Sequence, residues 1–301
     1  MSLTYLNSRF NLYGSYFFLI TGTIGNFLNI LIFSSERNYR RTPSTFYFLI
    51  SSTHNIFYIV FNLTIRIYNL YNETNLVDTS LGWCLTYAFL IGYLGLTSFT
   101  CSCLATIDQF FATSRNAYLR QYSNIKWAHR IVFITIIVWF LHSVPVLLFY
   151  NVPPITSRCI SVNKVYQDYI PIYILVLQCG IPVLVMLIFG GLTYRNMRLS
   201  KALVEQHADR QLTKMIIIQV MLVIISMTPY GILDIYTLIT SKYIKSTDQL
   251  QQEAFAQTIF VLVSYIYYVG NFYMFIISSN RFRQALKNRI FFWKKPNQIN
   301  P

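Results

Sequence analysis

The chain has 301 residues, of which 54% are hydrophobic and 11% are charged, and its net charge is +14 at pH 7. An average soluble domain carries about 25% charged residues, so this composition excludes an ordinary soluble globular protein. The positive charge would suit a nucleic-acid-binding protein, but its distribution along the chain argues against that class.

Seven apolar stretches fill most of the chain, and each is long enough to cross a bilayer. A crossing helix needs about 20 residues, because the hydrocarbon core is about 30 Å thick. The predicted spans are residues 12–34, 43–68, 82–108, 130–150, 169–194, 212–238 and 256–278. Short loops join them, which predicts an all-α membrane protein with a single seven-transmembrane helix bundle.

Three regions follow from these spans. Residues 1–11 are predicted to be an extracellular N-terminus, residues 12–278 the transmembrane domain, and residues 279–301 a cytoplasmic amphipathic helix with a short tail. No signal-peptidase site follows the first apolar run, so that run is expected to be the first span rather than a cleaved signal.

The basic residues are distributed unevenly between the two sides of the membrane. Most of the 24 lysines and arginines lie after spans one, three, five and seven. Positive residues favour the cytoplasmic side, so this pattern predicts an extracellular N-terminus and a cytoplasmic C-terminus in the plasma membrane. It also explains the net charge without nucleic acid.

A short amphipathic segment follows the last span. Phe282, Leu286 and Ile290 recur every four residues, with basic residues around them. This spacing predicts a helix lying along the inner membrane surface, and a disordered basic tail is the alternative.

Two cysteines and one sequon fall in predicted extracellular regions. Cys84 and Cys159 face an oxidising compartment there, which favours a disulfide, although their spacing alone leaves the pairing open. Asn72 begins an Asn-Glu-Thr sequon and is a predicted glycosylation site. The histidines are isolated and no metal-ligand spacing occurs, so neither a metal nor a cofactor is predicted.

Polar and proline residues inside the spans occur in a fixed order. They are Gly25-Asn26, Asn55, Ser98, Asp108-Gln109-Phe110, Trp139, Pro182, Ser226-Met227-Thr228-Pro229-Tyr230 and Asn271-Phe272-Tyr273-Met274-Phe275. In this order, and in the interval from Cys84 to Asp108, the whole chain resembles the rhodopsin-like (class A) G-protein-coupled receptors, particularly the peptide receptors. The resemblance implies a receptor rather than an enzyme, with an extracellular ligand and a heterotrimeric G protein as partners.

The resemblance also implies residue roles. The positions that match the family's activation and G-protein-coupling motifs are Asp108, Gln109, Phe110, Pro229, Asn271 and Phe275. A hydrogen-bonded or water-filled polar core is expected from Asn26, Asn55, Ser98 and Asn271.

Several positions depart from the family pattern. Gln109 replaces an arginine, so it forms hydrogen bonds but carries no charge, and the lock at this position is expected to be weaker. Asn55 replaces an acid that would favour sodium. Met227 replaces a tryptophan, Phe272 a proline and Phe275 a tyrosine, which is typical of a divergent receptor.

The ligand is expected between the halves of the helices that lie toward the extracellular side. Candidate contacts are Arg66, Ile91, Gln178, Met227, Tyr230, Asp234, Gln257 and Tyr265. In one interpretation Asp234 binds a cationic side chain of a peptide and Arg66 binds its anionic or amidated end. In the alternative, each of the two charges snorkels to the interface or pairs within the protein.

The family also excludes some ligands. Amine receptors carry an aspartate at the position of Ile91, and retinal proteins carry a lysine in span seven, which this chain lacks. A short amidated neuropeptide is the leading ligand class, followed by an environmental chemical.

Other classes of membrane protein fit less well. A transporter or channel would show paired ionisable residues at mid-membrane and repeated halves, and an intramembrane enzyme would show a catalytic set. Neither pattern occurs in the sequence. A receptor-like scaffold that no longer signals stays open because of Gln109, Met227 and Phe272.

Overall fold

The computed structural model describes residues 3–155, 157–199, 207–240, 243 and 245–290. It contains seven helices that are long and apolar enough to cross a membrane, as the sequence predicts. These are α1 (Leu3–Ser35), α2 (Pro43–Asn72), α3 (Leu81–Thr113), α4 (Ile125–Phe149), α5 (Lys164–Leu199), α6 (His207–Thr240) and α7 (Thr247–Ser278). A shorter helix, α8 (Asn280–Ile290), follows them.

The connections contain small elements. One-turn helices cover Arg37–Arg40 and Ala117–Arg120, and a 3₁₀ turn covers Leu76–Asp78. Between α4 and α5, strands β1 (Tyr150–Asn151) and β2 (Ile160–Ser161) pair antiparallel. Residues 200–206 and 291–301, which the sequence assigns to the third inner loop and the tail, lie outside the described residues.

Most of the helices begin earlier than the predicted apolar spans do. α1 begins at Leu3 rather than near residue 12, α7 begins at Thr247 rather than near residue 256, and α5 begins at Lys164, between the fourth and fifth predicted spans. At α5 the side chain of Asn163 accepts a hydrogen bond from the backbone of Tyr166 and caps the first turn. Hydropathy marks the part of a helix that fits the hydrocarbon, whereas caps determine where the helix begins.

The helices form a closed bundle. α1 packs between α2 and α7, α6 packs between α5 and α7, and α3 contacts α2, α4, α5 and α6. Gly22 makes the close contact with both neighbours of α1, because a Cβ there would lie 2.7 Å from Ile59 of α2 and 2.8 Å from Val269 of α7. The centre of the bundle contains α3, whose polar residues therefore face several helices at once.

α5 is not a uniform α-helix. Residues Ile174–Gly180 form a π-helical segment just before Pro182, and Gly231 of α6 packs on Cys179 within it. Such segments occur frequently at functional sites because they change which side chains face inward. Here the segment turns Gln178 toward Gly95 of α3.

α8 docks against the bundle through Phe282 and Ala285, with Leu286 packed beside them. Phe282 is fully buried, and its ring lies 5.7 Å from that of Phe33, 6.0 Å from that of Phe272 and 5.7 Å from that of Phe275. The basic residues Arg281, Arg283, Lys287 and Arg289 are exposed. The short amphipathic helix is therefore confirmed over Asn280–Ile290.

Candidate functional site

The two ends of the bundle differ in chemistry, and we name them by their residues. At the disulfide end, Cys84 of α3 is bonded to Cys159 beside β2. Asp78 supports this connection, because its carboxylate accepts hydrogen bonds from the backbone N–H of Cys159 and from the Asn75 amide, each at 2.7 Å. At the Asp108 end, α3 ends beside α2 and α6.

A cavity of about 450 Å³ opens beneath the disulfide, a size that suits a small organic ligand or a short peptide segment. Of the predicted ligand contacts, Arg66, Ile91, Gln178 and Tyr230 line it. They come from α2, α3, α5 and α6, so these four candidates do converge on one space.

The other four predicted contacts do not line this cavity. Met227 and Tyr265 are each 2% exposed and belong to the packed core. Asp234 is half-buried one turn beyond Tyr230, and its Oδ2 is buried without a hydrogen-bond partner. Gln257 is exposed on α7.

The cavity wall is rich in tyrosine, and of its tyrosines only Tyr230 is among the contacts predicted from the sequence. Tyr58 stacks on Tyr268 with ring centroids 4.0 Å apart, and Tyr87 donates a hydrogen bond of 3.1 Å to Asn62. A spacing of four residues relates Tyr58, Asn62 and Arg66, which places them on one face of α2. That spacing was visible in the sequence and identifies the side of α2 that faces the cavity.

Arg66 is held by neutral groups. Its Nε donates a hydrogen bond of 2.5 Å to Asn11 of α1, and its guanidinium also interacts with the hydroxyl of Tyr265. Among the described residues the one ion pair is Lys245–Glu253, so no described carboxylate pairs with Arg66. Its positive charge is therefore oriented without being neutralised.

A polar network crosses the middle of the bundle. Ser98 donates to Asn55 at 2.5 Å and lies 3.0 Å from the hydroxyl of Tyr267, which in turn lies 2.8 Å from Ser102. Gln219 of α6 donates to Ser102 at 2.9 Å. These bonds connect α2, α3, α7 and α6 through buried side chains.

The predicted polar core is only partly one network. Asn55 and Ser98 bond directly, whereas Asn26 donates to the backbone oxygen of Tyr268 at 2.9 Å and so joins α1 to α7. Asn271 is buried, but its Oδ1 accepts no hydrogen bond from any described residue. Tyr267 and Gln219 complete the network instead. Gln219 could have been recognised in the sequence, because a polar residue inside an apolar span is a candidate for function.

The Asp108 end carries a second set of buried hydrogen bonds. The hydroxyl of Ser44 donates to the carboxylate of Asp108. Gln109 donates from Nε2 to Oγ1 of Thr213 at 2.8 Å, and both residues are at most 1% exposed. The glutamine thus joins α3 to α6, and it does so without charge.

The remaining coupling candidates lie around these bonds. Phe110 packs on Phe189 of α5 with ring centroids 5.5 Å apart, and Phe275 is buried in the aromatic cluster that holds α8. Pro229 lies within α6. Tyr39, which was not among the predicted residues, lies in the connection between α1 and α2. Its side chain is buried, and this burial raises the pKa of its hydroxyl.

Comparison with known proteins assigns the class. The family model for the 7 transmembrane receptor (rhodopsin family) matches residues 25–282. The chain therefore belongs to the rhodopsin family of seven-transmembrane receptors, which are multi-pass plasma-membrane signalling receptors rather than enzymes. Membership implies an extracellular ligand and a G protein as partners. No curated protein matches the chain.

Proposed function

We propose that this receptor binds a short extracellular peptide at the disulfide end and activates a heterotrimeric G protein at the Asp108 end. The observation that carries the proposal is the buried polar network. It lies between the cavity at one end and the Gln109–Thr213 bond at the other, and it includes side chains from four helices.

The orientation of the chain is part of the proposal. Arg37, Arg40, Arg41, Arg115, Arg120 and Lys126 are exposed in the connections at the Asp108 end, and α8 adds further basic residues. A basic face prefers the cytoplasmic side of a membrane. The N-terminus and the disulfide end would then be extracellular.

The mechanism proceeds through α5 and α6. A ligand in the cavity contacts Gln178 in the π-helical segment and Tyr230 on α6. Since Gly231 packs on Cys179, a shift of that segment displaces α6. The displacement is transmitted along α6 to Gln219 and Thr213, breaks the bond to Gln109 and opens the Asp108 end for the G protein.

A peptide is favoured by the chemistry of the cavity wall. Tyr58, Tyr87 and Tyr230 offer aromatic surface and hydroxyl groups, and Arg66 adds a charge. Asp234 remains a candidate for a cationic group one turn beyond Tyr230. An environmental chemical could contact the same tyrosines and arginine, so both peptides and small molecules must be screened as ligands.

A signalling-defective scaffold is the second candidate, because Gln109, Met227 and Phe272 replace residues of the family's activation motifs. One experiment separates the two. The chain is expressed with sensors for each class of G protein while both libraries are screened and surface expression is measured. Ligand-dependent or basal nucleotide exchange supports the receptor, and silence at normal surface expression supports the scaffold.

A further inference from the structure

The cavity at the disulfide end contains one positive charge that the described part of the protein does not neutralise. Arg66 lies half-buried on the wall, its hydrogen bond goes to Asn11, and the hydroxyl of Tyr265 lies near its guanidinium; both of these groups are uncharged. A charge inside a membrane span is costly unless it is paired, so an unpaired arginine on a cavity indicates a function.

The carboxylates of the same region do not supply the partner. Asp78 also lines the cavity, but its carboxylate accepts hydrogen bonds from the Cys159 backbone and the Asn75 side chain and forms no ion pair with Arg66. Asp234 is not on the wall, and the carboxylate of Glu253 pairs with Lys245 between α6 and α7. No described carboxylate therefore forms an ion pair with Arg66, and the guanidinium is open to an anionic group of a ligand.

The orientation of the arginine suits one chemical group. Asn11 of α1 holds the Nε side of the guanidinium, which fixes the plane of the group. Planar guanidinium groups bind carboxylates through two parallel N–H donors, a geometry that a lysine cannot reproduce. Snorkelling does not explain this placement, because the bond to Asn11 ties the side chain to a neighbouring helix.

We infer that the cavity recognises a ligand with a free carboxylate, which binds Arg66 while an aromatic or apolar body packs on Tyr58 and Tyr87. This inference rests on the proposed ligand site. It replaces the amidated peptide end with an ionised one, since an amide is neutral and leaves the arginine charge uncompensated. Asn11 is then a positioning residue, acting through Arg66 rather than on the ligand.

A matched pair of small ligands tests the inference. N-acetyl-L-phenylalanine and N-acetyl-L-phenylalaninamide differ in the terminal group alone. Each is titrated into the purified full chain in lipid nanodiscs while the melting temperature is recorded, because a ligand that binds the folded state raises it. The acid should raise the melting temperature at concentrations where the amide does not.

Three variants locate the effect. Arg66→Gln should weaken acid binding by about ten- to a hundredfold, the factor expected for a charged hydrogen bond, and remove the preference over the amide. Arg66→Lys should retain the preference with lower affinity. Lys164→Gln, which removes an exposed positive charge at the start of α5, should behave like the wild type.

Three results would overturn the inference: equal stabilisation by acid and amide, no stabilisation by the acid, or full acid binding by Arg66→Gln. If Arg66→Gln does not fold, the comparison of acid and amide on the wild-type chain still tests the inference.

The melting-temperature assay contains no G protein. Acid binding without nucleotide exchange would therefore contradict the proposed coupling, whereas activation by amidated ligands in preference to acids would contradict this inference alone.

Discussion

Gln109 of α3 and Thr213 of α6 are joined by a buried hydrogen bond, and in the proposed mechanism these two helices separate when a G protein binds. The amide of Gln109 donates to the hydroxyl of Thr213 at 2.8 Å, and both side chains are buried. The bond is neutral, so its strength depends on burial and geometry rather than on charge.

Removal of the acceptor should release α6. Thr213→Val retains the branched shape but leaves the Gln109 amide without this partner, a change of about 1–3 kcal/mol. Since 1 kcal/mol corresponds to about a fivefold change in population, basal nucleotide exchange should rise at least about fivefold.

The matched control is Thr237→Val, because the hydroxyl of Thr237 bonds within α6 to the backbone oxygen of Asp234. Exchange by this variant should equal that of the wild type. Equal basal exchange by Thr213→Val and wild type would show that the bond does not restrain α6.

Introduction of charge at the same position should change basal activity. Gln109→Arg places a guanidinium beside the buried Asp108 carboxylate, and a charged hydrogen bond is stronger than the neutral one that it replaces. Basal nucleotide exchange by Gln109→Arg should therefore differ from that of the wild type, and an unchanged exchange rate would contradict the role assigned to this position.

Two neighbouring tyrosines should respond oppositely to the same substitution. Tyr267→Phe removes the hydroxyl between Ser98 and Ser102 and should lower the free energy of unfolding by about 1–2 kcal/mol. Tyr268→Phe removes a buried hydroxyl that makes no hydrogen bond of good geometry within the described part of the protein, so it should leave stability unchanged or raise it. Thermal unfolding of both variants in the same lipid measures the two effects. A larger loss of stability for Tyr268→Phe than for Tyr267→Phe would contradict the network as described.

The sequence predicts what depends on local composition. Apolar length identifies the seven spans, and the order of Asn26, Asp108 and Pro229 identifies the family. The network around Tyr267 was missed, because a tyrosine within an apolar run is typical of packing surface and its partners lie on other helices. Arg66 was found because a charge in a span is conspicuous. The exclusion of Asp234 depends on how far the cavity extends along α6, since Asp234 lies one turn beyond Tyr230 on the same face, and hydropathy does not show that extent.

A close helix contact should make one glycine sensitive to a single methyl group. Gly22→Ala would place Cβ within 2.8 Å of Val269 and 2.7 Å of Ile59, so α1 must shift and the melting temperature should fall. Gly191→Ala meets nothing within 4 Å and should be neutral or stabilising through helix propensity. If the two variants melt at the same temperature, α1 does not pack as described.

Loss of the disulfide should affect the cavity. Cys84→Ala and Cys159→Ala should each reduce surface expression or ligand affinity. The double variant should be no worse than either single variant, because each single substitution already removes the whole disulfide. Cys101→Ala, a buried cysteine without a disulfide, serves as the control. Normal expression and binding by all variants would mean that the bond does not support the cavity.

The proposed orientation can be read from glycosylation. Asn72 is exposed at the end of α2, near the disulfide end, and should carry a glycan if that end is extracellular. Treatment with a glycosidase should then increase the mobility of the wild-type chain and leave Asn72→Gln unchanged. Antibody access to an N-terminal tag on intact cells, but not to a C-terminal tag, checks the orientation independently of glycan occupancy.

Coupling to a G protein is the central claim, and reconstitution tests it most directly. The purified receptor in nanodiscs is mixed with each class of purified heterotrimer, and nucleotide exchange is measured for wild type, Thr213→Val and Thr237→Val. We expect at least one class to show exchange above empty nanodiscs, increased by Thr213→Val and not by Thr237→Val. Exchange equal to that of empty nanodiscs for all three proteins and every class would contradict the account.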